Sequence, residues 1–593
     1  MHGSQEPSDS VRVFGSVLRG DAAAGSDVDF LVSLDEQRRP CLAVRIARRN
    51  PEDPTAERAT PIPLLNMQPQ LYIEVMPADP RPTRRPRGDR EARRNARLAP
   101  AGFDAAALRN HLGTASILSD EQIELIHTAS LELLQEVGME FMGQAARDVY
   151  RKAGALVDDE SGLVRIPREI IEHAVATAPG QFTVTPRNPA RRLEVGGDNI
   201  SFGLVAGPPT VHDRINGRRS GNLEDYITLL QLAQSFDVIH FVGNQPTSPI
   251  ELPANTRHLD CYSANVTYTD RTYHCLAIGR ERTIDGIETM AISRGLTREQ
   301  VIDDPCVLTI ISVNSPRRFD KAMSDGLMTM AEHGQPAVIT PFTLMGAMTP
   351  VTLAAALVQQ NAEALAGIVL TQLVRPGCAV VYGAFTSNVD LRSGAPAFGT
   401  PENARATIAA GQLARRYGLP YRASNSSASN ALDAQAAYES EMSLWSSVLG
   451  GANLVYHGAG WMEGGLTASF EKIVLDVEML QMMARTIAPV EITPEEIAAG
   501  VEAIAETPTG GHFFGSPHTL ARYETAFYQP LVSDWQNYEN WEAAGSRGAE
   551  ERATAIWQDA LASYVAPPLE PGIAEALEAF VGRRKEELRD VDH

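Results

Sequence analysis

The chain has 593 residues, a hydrophobic fraction of 44% and a formal net charge of -22 at pH 7. The length allows either several domains or one large barrel with additions, and the acidic balance argues against a general nucleic-acid-binding surface. The five cysteines are scattered and form no CxxC pair, so we expect neither a disulfide framework nor a thiolate zinc site, and each cysteine is interpreted as a small buried hydrophobe.

The first 50 residues carry one short motif. Gly15-Ser16 follows an apolar run, and Asp27 and Asp29 alternate along the next run, which projects both carboxylates from one face of a strand. This pattern resembles the nucleotidyltransferase motif of the polymerase-β-like superfamily, and the resemblance implies a Mg²⁺ site at Asp27 and Asp29. Because the helix expected before Gly15 is largely missing, residues 1–50 are interpreted as a partial nucleotidyltransferase-like segment, a small α+β fragment.

Residues 51–110 are predicted to be a linker, because prolines are dense there and arginines cluster between Arg81 and Arg97. The favoured interpretation is a solvated connector, and the alternative is a contact for an acidic partner or nucleic acid. No basic start followed by an apolar run opens the chain, so we expect no signal peptide and a cytoplasmic protein. The apolar region from Ala337 to Val374 is interrupted by prolines and polar residues, which indicates a strand and a core helix rather than a membrane span.

A capping box at Ser119 and Gln122 marks the first helix of a third region, residues 111–593. Short apolar strands then alternate with helical patterns. The predicted strands are Ile200–Leu204, Val238–Val242, Tyr273–Ile278, Val307–Val313, Ala337–Pro341, Ala379–Ala384, Tyr421–Ala423 and Leu454–Tyr456. This rhythm predicts an α/β fold, a (β/α)8 TIM barrel with flanking helical segments; a doubly wound open sheet is the alternative, but no Gly-rich nucleotide turn accompanies it.

In a barrel of this type the active site lies just beyond the carboxyl ends of the strands. Those positions are rich in hydroxyls, amides, aromatic rings and sulfur, poor in Lys and Arg, and lack a phosphate-binding loop. Such a site suits a neutral or cationic small molecule. His457 is as compatible with a structural role as with a functional one, whereas Glu463, beside Gly464-Gly465, is the best candidate to pair with a cation.

From about Leu118 to its end the chain resembles the trimethylamine methyltransferase family of corrinoid-dependent methyltransferases. The matching strings begin at Leu118 (LSDEQ), Asn361 (NAEALAGIVL), Val380 (VVYG), Tyr417 (YGLP), Asp433 (DAQ), Gly451 (GANLVY), Gly458 (GAG) and Trp541 (WEAAGS). The resemblance implies a TIM barrel that transfers a methyl group to the cobalt of a corrinoid (cobalamin) carried by a partner protein.

One departure bears on the substrate. The trimethylamine enzymes of the family carry pyrrolysine just after the seventh strand, and Ser426 holds that place here. A serine hydroxyl forms no covalent adduct with an amine. A quaternary ammonium needs none, because it already carries its charge and leaves as a neutral tertiary amine, so the sequence predicts a betaine-like quaternary amine as methyl donor.

The resemblance and the strand-end positions together give a set of site residues. Catalytic roles are predicted for Ser426, His457 and Glu463. The predicted substrate-binding residues are Asn425, Tyr382, Trp461, Thr343 and Gln435. Tyr382 and Trp461 are expected to face the cation and Glu463 to add charge, whereas Asn425, Ser426 and His457 orient a substrate carboxylate or the corrinoid face.

Three alternative functions remain open at this point. In the first, the chain binds quaternary amines without catalysis. In the second, the methyl donor is of the trimethylamine type. In the third, the chain acts as a nucleotidyltransferase through its N-terminal segment. The predicted partners are a small quaternary amine, a corrinoid protein and further copies of the chain, with neither nucleic acid nor membrane.

Overall fold

The computed structural model of the chain describes residues 107–589 except 244, together with the backbone of three short strands nearer the N-terminus. The chain divides into two units, Met1–Arg85 and Pro86–His593. In the first unit three strands pair antiparallel in chain order; they are Val11–Arg12, Phe30–Ser33 and Ala43–Ile46. Asp27 and Asp29 lie outside the described residues, as do the arginine-rich stretch and Cys41.

Eight parallel strands form the centre of the second unit. They are β1 (Ser201–Leu204), β2 (Phe241–Val242), β3 (Thr272–Tyr273), β4 (Thr309–Val313), β5 (Ala337–Met345), β6 (Val380–Gly383), β7 (Tyr421–Ser424) and β8 (Leu454–Ala459). Each coincides with one of the eight predicted strands. The apolar, β-branched runs of the sequence suit strands that are buried on both faces, which is the usual environment of a parallel sheet.

A helix follows each of these strands. The helices are α1 (Leu223–Ser235), α2 (Arg257–Tyr268), α3 (Arg280–Ser293), α4 (Lys321–Glu332), α5 (Leu353–Val374), α6 (Pro401–Arg416), α7 (Ala434–Gly450) and α8 (Phe470–Ile487). The predicted α/β alternation is therefore confirmed.

The strand pairings follow chain order. Parallel hydrogen bonding joins β1 to β2 and β2 to β3, and then β4 to β5, β5 to β6, β6 to β7 and β7 to β8. β8 pairs in parallel with β1. A single parallel bridge, His274 to Leu308, joins the residue after β3 to the residue before β4.

Local signals in the sequence set several helix ends. Ser119 and Gln122 form the predicted capping box, and Thr400 caps α6, whose first residue is Pro401. Asp433 caps α7 by accepting from the backbone of Gln435 and Ala436, and the helix stops at Gly451, whose φ of 79° is left-handed. Helix α5 is long and apolar enough to cross a membrane, but 78% of its most apolar window is buried inside the protein, as expected of a core helix.

The amino-terminal ends of the parallel strands meet an apolar cluster, which we call the apolar end. Leu308, Val338, Val381 and Leu454 come from the strands or from the residues just before them, and all are fully buried. Packed with them are Val184, Leu193 and Val195 from the antiparallel hairpin of Gln181–Val184 and Leu193–Gly196. Burial of such side chains contributes roughly 1.5–3 kcal/mol each, so this end anchors the sheet.

Further elements flank the parallel strands. The remaining helices and helical turns are Asp120–Glu132, Leu133–Val137, Gln144–Lys152, Arg168–Thr177, Pro189–Arg191, Glu463–Gly465, Pro494–Glu506, Pro517–Leu520, Tyr538–Ala543, Ala549–Ala562 and Pro571–Glu587. The remaining strands of the second unit are Met139–Phe141, Leu156–Asp158, Leu163–Arg165, Thr210–Asp213, Gly217–Ser220, Arg318–Phe319, Phe385–Val389, Pro396–Ala397, Trp461–Met462 and Thr467–Ser469.

The C-terminal tryptophans differ in burial. Trp557 is buried, and its indole N–H donates to Glu471 of α8 at 2.8 Å. This hydrogen bond holds the helix Ala549–Ala562 against α8. Trp535 is 71% exposed. The C-terminal region therefore packs on the parallel strands and their helices only in part.

Candidate functional site

The loop after β7 is held by one buried carboxylate. Glu439 on α7 accepts hydrogen bonds from the Ser427 hydroxyl at 2.8 Å and from the backbone N–H groups of Ala428 and Ser429 at 2.8 and 3.0 Å. Gln435, a predicted substrate-binding residue, donates to the second oxygen of Glu439 at 2.8 Å. A carboxylate that accepts several hydrogen bonds rigidifies a loop. Gln435 therefore stabilises the loop after β7 indirectly, through its hydrogen bond to Glu439.

Two predicted residues open this loop. Ser426 is buried, and its hydroxyl lies 3.4 Å from that of Ser443 on α7. Asn425 is buried and donates from its side-chain amide to the Gly458 carbonyl at 3.1 Å, which ties the loop after β7 to the end of β8. The amide oxygen of Asn425 is buried without a partner within the described structure. An unmet buried acceptor beside a strand end is a feature of ligand-binding sites.

The end of β8 is irregular, and the irregularity aims His457. The pairing register between β8 and β1 shifts between Val455 and Ala459, and His457 has a φ of 55°. Left-handed backbone at a non-glycine residue is strained and is enriched at functional sites. The His457 ring accepts at Nδ1 from the Ala206 backbone N–H at 3.2 Å. Burial and the nearby Arg422 hold the pKa of His457 well below its ordinary value, so the ring is neutral at pH 7.

Five rings gather around the carboxyl-terminal halves of β5 and β8 and the residues that follow β6 and β8; we call them the strand-end aromatic cluster. They are Phe342, Phe385, Phe398, His457 and Trp461. The His457 and Trp461 centroids are 4.1 Å apart, and Phe385 lies edge-on to Trp461 at 6.0 Å. Phe342 and Phe385 are half-buried, and the indole N–H of Trp461 is buried without a partner in the region that the structure describes. Ring faces in a water-poor setting attract ammonium groups.

Arg422 lies beneath these rings, in the middle of β7. Its side chain is 1% exposed, and its guanidinium carbon lies 5.2 Å from the Phe385 ring and 4.8 Å from the Tyr456 ring. One Nη donates to the Ala384 carbonyl at 3.1 Å, and the other lies 3.5 Å from Nε2 of His457. Burial lowers the pKa of Arg422 to about 10, so the guanidinium stays charged at neutral pH.

Glu463 occupies a different setting from the one its sequence position suggests. Both of its carboxylate oxygens accept from Nε of Arg218, at 3.1 and 2.9 Å. The Glu463 side chain is 14% exposed and that of Arg218 is 51% exposed, so this ion pair lies at the surface of the site. Its backbone N–H donates to the Ser429 carbonyl at 3.0 Å, which joins the loops after β7 and β8. The charge that Glu463 was expected to offer a cation is therefore shared with an arginine.

Tyr382 and Thr343 lie apart from the two loops. The Tyr382 hydroxyl donates to Asn361 and accepts from Gln360, both on α5 and both at 2.9 Å, so this side chain fills the space between β6 and its helices. The Thr343 hydroxyl lies 2.5 Å from that of Thr386, which joins the extensions of β5 and β6. Thr343 thus braces the backbone next to Phe342 and Phe385, and Tyr382 does not join the strand-end aromatic cluster.

A buried ion pair supports the loop after β8. Asp476 of α8 accepts from the backbone N–H of Gly460 at 2.8 Å and pairs with Lys472, whose ammonium also donates to Ser440 at 2.7 Å. Burial raises the pKa of Asp476 above its ordinary value, although Lys472 opposes the shift. The backbone that carries His457 and Trp461 is therefore fixed from the helix side.

Sequence reasoning missed Arg422, Phe385 and Glu439. Arg422 is the charged residue within the predicted strand Tyr421–Ala423, and alternation along a strand places it opposite in direction to Tyr421, whose hydroxyl donates to a carbonyl of α6. That alternation is the signal that would have found it. Within the described residues no group of three or more His, Cys, Asp or Glu is arranged to hold a metal ion.

A family model described as "Trimethylamine methyltransferase (MTTB)" matches residues 83–589. A second, "Nucleotidyltransferase domain", matches residues 3–87, in agreement with the motif around Gly15 and Asp27. The "Glycine betaine methyltransferase" of Desulfitobacterium hafniense (strain Y51) is 35% identical over 474 residues, which are 80% of this chain and 98% of that protein. The "Trimethylamine methyltransferase MttB" of Desulfitobacterium hafniense (strain DSM 10664 / DCB-2) is 29% identical over 473 residues, 79% of this chain and 94% of that protein.

A solved structure, "Crystal structure of the hydroxylamine MtmB complex", has a TM-score of 0.43 and 12% identity, and the likeness covers 80% of this chain and 96% of that one. At that score the likeness adds nothing to the family match. The family model and the glycine betaine methyltransferase each span most of the second unit, including both loops of the site. The chain therefore belongs to the trimethylamine methyltransferase family.

Proposed function

We propose that the protein transfers a methyl group from a betaine-like quaternary amine to the cobalt of a corrinoid carried by a partner protein. The observation that carries the proposal is the strand-end aromatic cluster, in which Trp461 and Phe385 offer ring surface to an ammonium group. The 35% identical glycine betaine methyltransferase supports the substrate class.

The proposed reaction needs no proton from the protein. The electron pair of cobalt(I) forms the new bond to the methyl carbon, and the carbon–nitrogen bond breaks with its electrons on nitrogen. A neutral tertiary amine leaves, and cobalt ends two electrons more oxidised. His457 is neutral at pH 7, in keeping with a reaction that needs no general acid. The contribution of the site is then to hold one methyl group in line with the metal and to exclude water.

We further propose that β1–β8 close into a (β/α)8 barrel with the site at its carboxyl end. Seven parallel pairings and the bridge between His274 and Leu308 support closure, because together they give each strand a neighbour on both sides. In this arrangement the side chains of the apolar end fill the base of the barrel, as in other barrels of this size.

The predicted residues take the following proposed roles. Trp461 faces the ammonium group, and Asn425, Ser426 and His457 line the wall on the side of β7 and β8. Thr343 acts indirectly, through Thr386 and the backbone beside the aromatic rings. Gln435 acts through Glu439, and Glu463 through the loop that it shares with Ser429.

We propose a cytoplasmic setting, because cobalt(I) survives only where reductants are present. The four cysteines in the described region are free and buried, in keeping with a reducing compartment.

A homo-oligomer is a further proposal. It is supported by the exposed side chains of Ile497, Val501 and Ile504, which recur along one face of the helix Pro494–Glu506.

A direct test uses free cob(I)alamin as the methyl acceptor. The purified protein is incubated anaerobically with cob(I)alamin and, separately, with glycine betaine, proline betaine, carnitine, choline and trimethylamine. We expect the visible spectrum of methylcobalamin to develop with at least one betaine and not with trimethylamine. Binding of a betaine without methyl transfer, in the presence of a corrinoid protein as well, would favour the non-catalytic alternative.

The nucleotidyltransferase match gives the first unit a separate candidate function. The proposed ligand is a nucleoside triphosphate with Mg²⁺ held by Asp27 and Asp29. Transfer of label from an NTP that disappears in Asp27→Ala supports this function, and a partial, inactive segment gives no transfer in either protein.

A further inference from the structure

Arg422 is a buried cation without a carboxylate partner. Every nitrogen of a guanidinium carries N–H groups, and only the Ala384 carbonyl accepts from this one at an ordinary distance. Nε has no partner, and Arg422 forms no ion pair with an Asp or Glu in the described part of the chain. Buried charges in proteins are normally paired, so an unpaired guanidinium beneath the strand-end aromatic cluster indicates an absent anion.

His457 supplies a second, independent observation. Because its Nδ1 accepts from the Ala206 N–H, the neutral ring carries its proton on Nε2. That Nε2–H faces an Nη of Arg422 at 3.5 Å, so two donors meet with no acceptor between them. An anionic oxygen placed against both groups satisfies both. If the contact between His457 and Arg422 were purely structural, it would instead pair a hydrogen-bond donor with an acceptor.

The rings place a cation next to this anion position. Phe385 contacts the Arg422 guanidinium at 5.2 Å and lies 6.0 Å from Trp461. An anion on Arg422 and an ammonium group on the outer surface of the Phe385 and Trp461 pair are therefore separated by about the width of one ring. A molecule with both charges a few bonds apart matches this spacing, whereas a plain ammonium ion leaves Arg422 unpaired and close to a like charge.

We propose that Arg422, together with Nε2–H of His457, is the carboxylate-binding site of the substrate and makes the protein selective for zwitterionic quaternary amines. This inference rests on the proposed function for the identity of the cation but not on methyl transfer itself. It assigns discrimination between betaines and other quaternary amines to Arg422 rather than to the aromatic rings, which bind any quaternary ammonium group.

Binding measurements without any corrinoid test the inference apart from the proposed activity. Calorimetric titration compares glycine betaine with choline, in which a hydroxymethyl group replaces the carboxylate. We expect the wild-type protein to bind glycine betaine at least about tenfold more tightly, because charge-assisted hydrogen bonds to a buried guanidinium are strong. Equal affinities in the wild-type protein would overturn the inference, whether or not methyl transfer is found.

The variant Arg422→Gln separates recognition from a structural role. We expect its affinity for glycine betaine to fall about tenfold or more while its affinity for choline stays the same or rises, because the buried positive charge that repels choline is gone. A parallel loss of both affinities would show that Arg422 only supports the fold. Arg422→Lys keeps the charge and should retain part of the preference.

Arg415→Gln is the matched control. Arg415 also donates to backbone carbonyls, those of Gly450 and Ala115, but it lies on α6 away from the strand-end aromatic cluster. Its replacement should leave the preference for glycine betaine unchanged.

A competition experiment needs no variant. tert-Butylacetate has the shape of glycine betaine with carbon in place of the charged nitrogen. We expect it to displace glycine betaine from the wild-type protein, because it keeps the carboxylate that Arg422 would bind. No displacement at concentrations at which choline does displace would overturn the inference even if Arg422→Gln cannot be folded.

Discussion

The two ends of the parallel strands differ in the polarity of the side chains that they bury. At the apolar end, Val338, Val381 and Leu454 meet the hairpin residues, and the side chains named there carry no polar atom. At and just beneath the carboxyl end, Arg422, Asn425 and Trp461 each bury a polar group that has no partner in the described structure. The named residues of the first end bury only apolar side chains, whereas the second end buries polar groups that a ligand could satisfy, which is the usual division between stability and function in a parallel α/β protein.

The difference between the ends predicts opposite responses to charge. A charge introduced at the apolar end has no partner, whereas removal of the charge of Arg422 removes a buried ion that already lacks one. We expect Val381→Asp to lower the free energy of unfolding by about 4 kcal/mol or more. Arg422→Met should change it by no more than about 1 kcal/mol. Chemical denaturation followed by circular dichroism measures both.

Val381→Leu controls for the change of size at the apolar end. A similar loss of stability in Val381→Asp and Arg422→Met would mean that Arg422 is part of the core rather than of a ligand site. In that case the comparison between the two ends fails together with the carboxylate assignment.

The sequence predicted the strands and the order of elements better than the contacts of the site. Each of the eight strands was foreseen, because apolar runs and glycine or proline boundaries are local signals. The orientation of the His457 side chain toward Arg422 was not predicted. It depends on a register shift between β8 and β1, and these two strands are far apart in the chain. Glu463 lies in the loop after β8, as the strand prediction implied, but its pairing with Arg218 joins residues that are 245 positions apart.

Glu439 gives the next largest expected effect. Glu439→Ala removes the acceptor of the Ser427 hydroxyl and of two backbone N–H groups, so we expect a loss of about 3 kcal/mol in the free energy of unfolding and a matching loss of glycine betaine affinity. Glu441→Ala, on the same helix, removes only the acceptor of the Trp445 indole N–H and should cost about 1 kcal/mol or less. Unchanged betaine affinity in Glu439→Ala would place the loop after β7 outside the site.

The buried histidines predict a pH dependence of stability. Burial lowers the pKa of His274 to about 3 and that of His457 well below 6.5, so below pH 6.5 the unfolded chain binds protons that the folded protein does not. Stability is therefore full above pH 6.5 and is lost as the pH falls, with a limiting slope of about 1.4 kcal/mol per pH unit for each ring. His457→Gln should reduce the slope measured between pH 7 and pH 5 by up to that amount.

His512→Gln is the control for that measurement, since His512 is exposed. It reports what the exchange of a surface histidine for glutamine does to the slope by itself. If His457→Gln leaves the slope unchanged, the pKa of His457 is the same in the folded and unfolded states, and the ring is not held in the neutral form that would donate from Nε2–H to a carboxylate.

The ion pair of Arg218 and Glu463 gives the smallest expected effect on stability. Because Arg218 is half exposed, Arg218→Ala should change the free energy of unfolding by less than about 1 kcal/mol. The same variant leaves Glu463 unpaired at the surface of the site, so choline should bind more tightly if Glu463 reaches the ammonium group and equally well if it only shapes the loop. The structure favours the second result, since the Glu463 backbone already joins the two loops through Ser429. Tighter choline binding in Arg218→Ala that is reversed in Arg218→Ala/Glu463→Gln would return Glu463 to the role that its sequence position suggests.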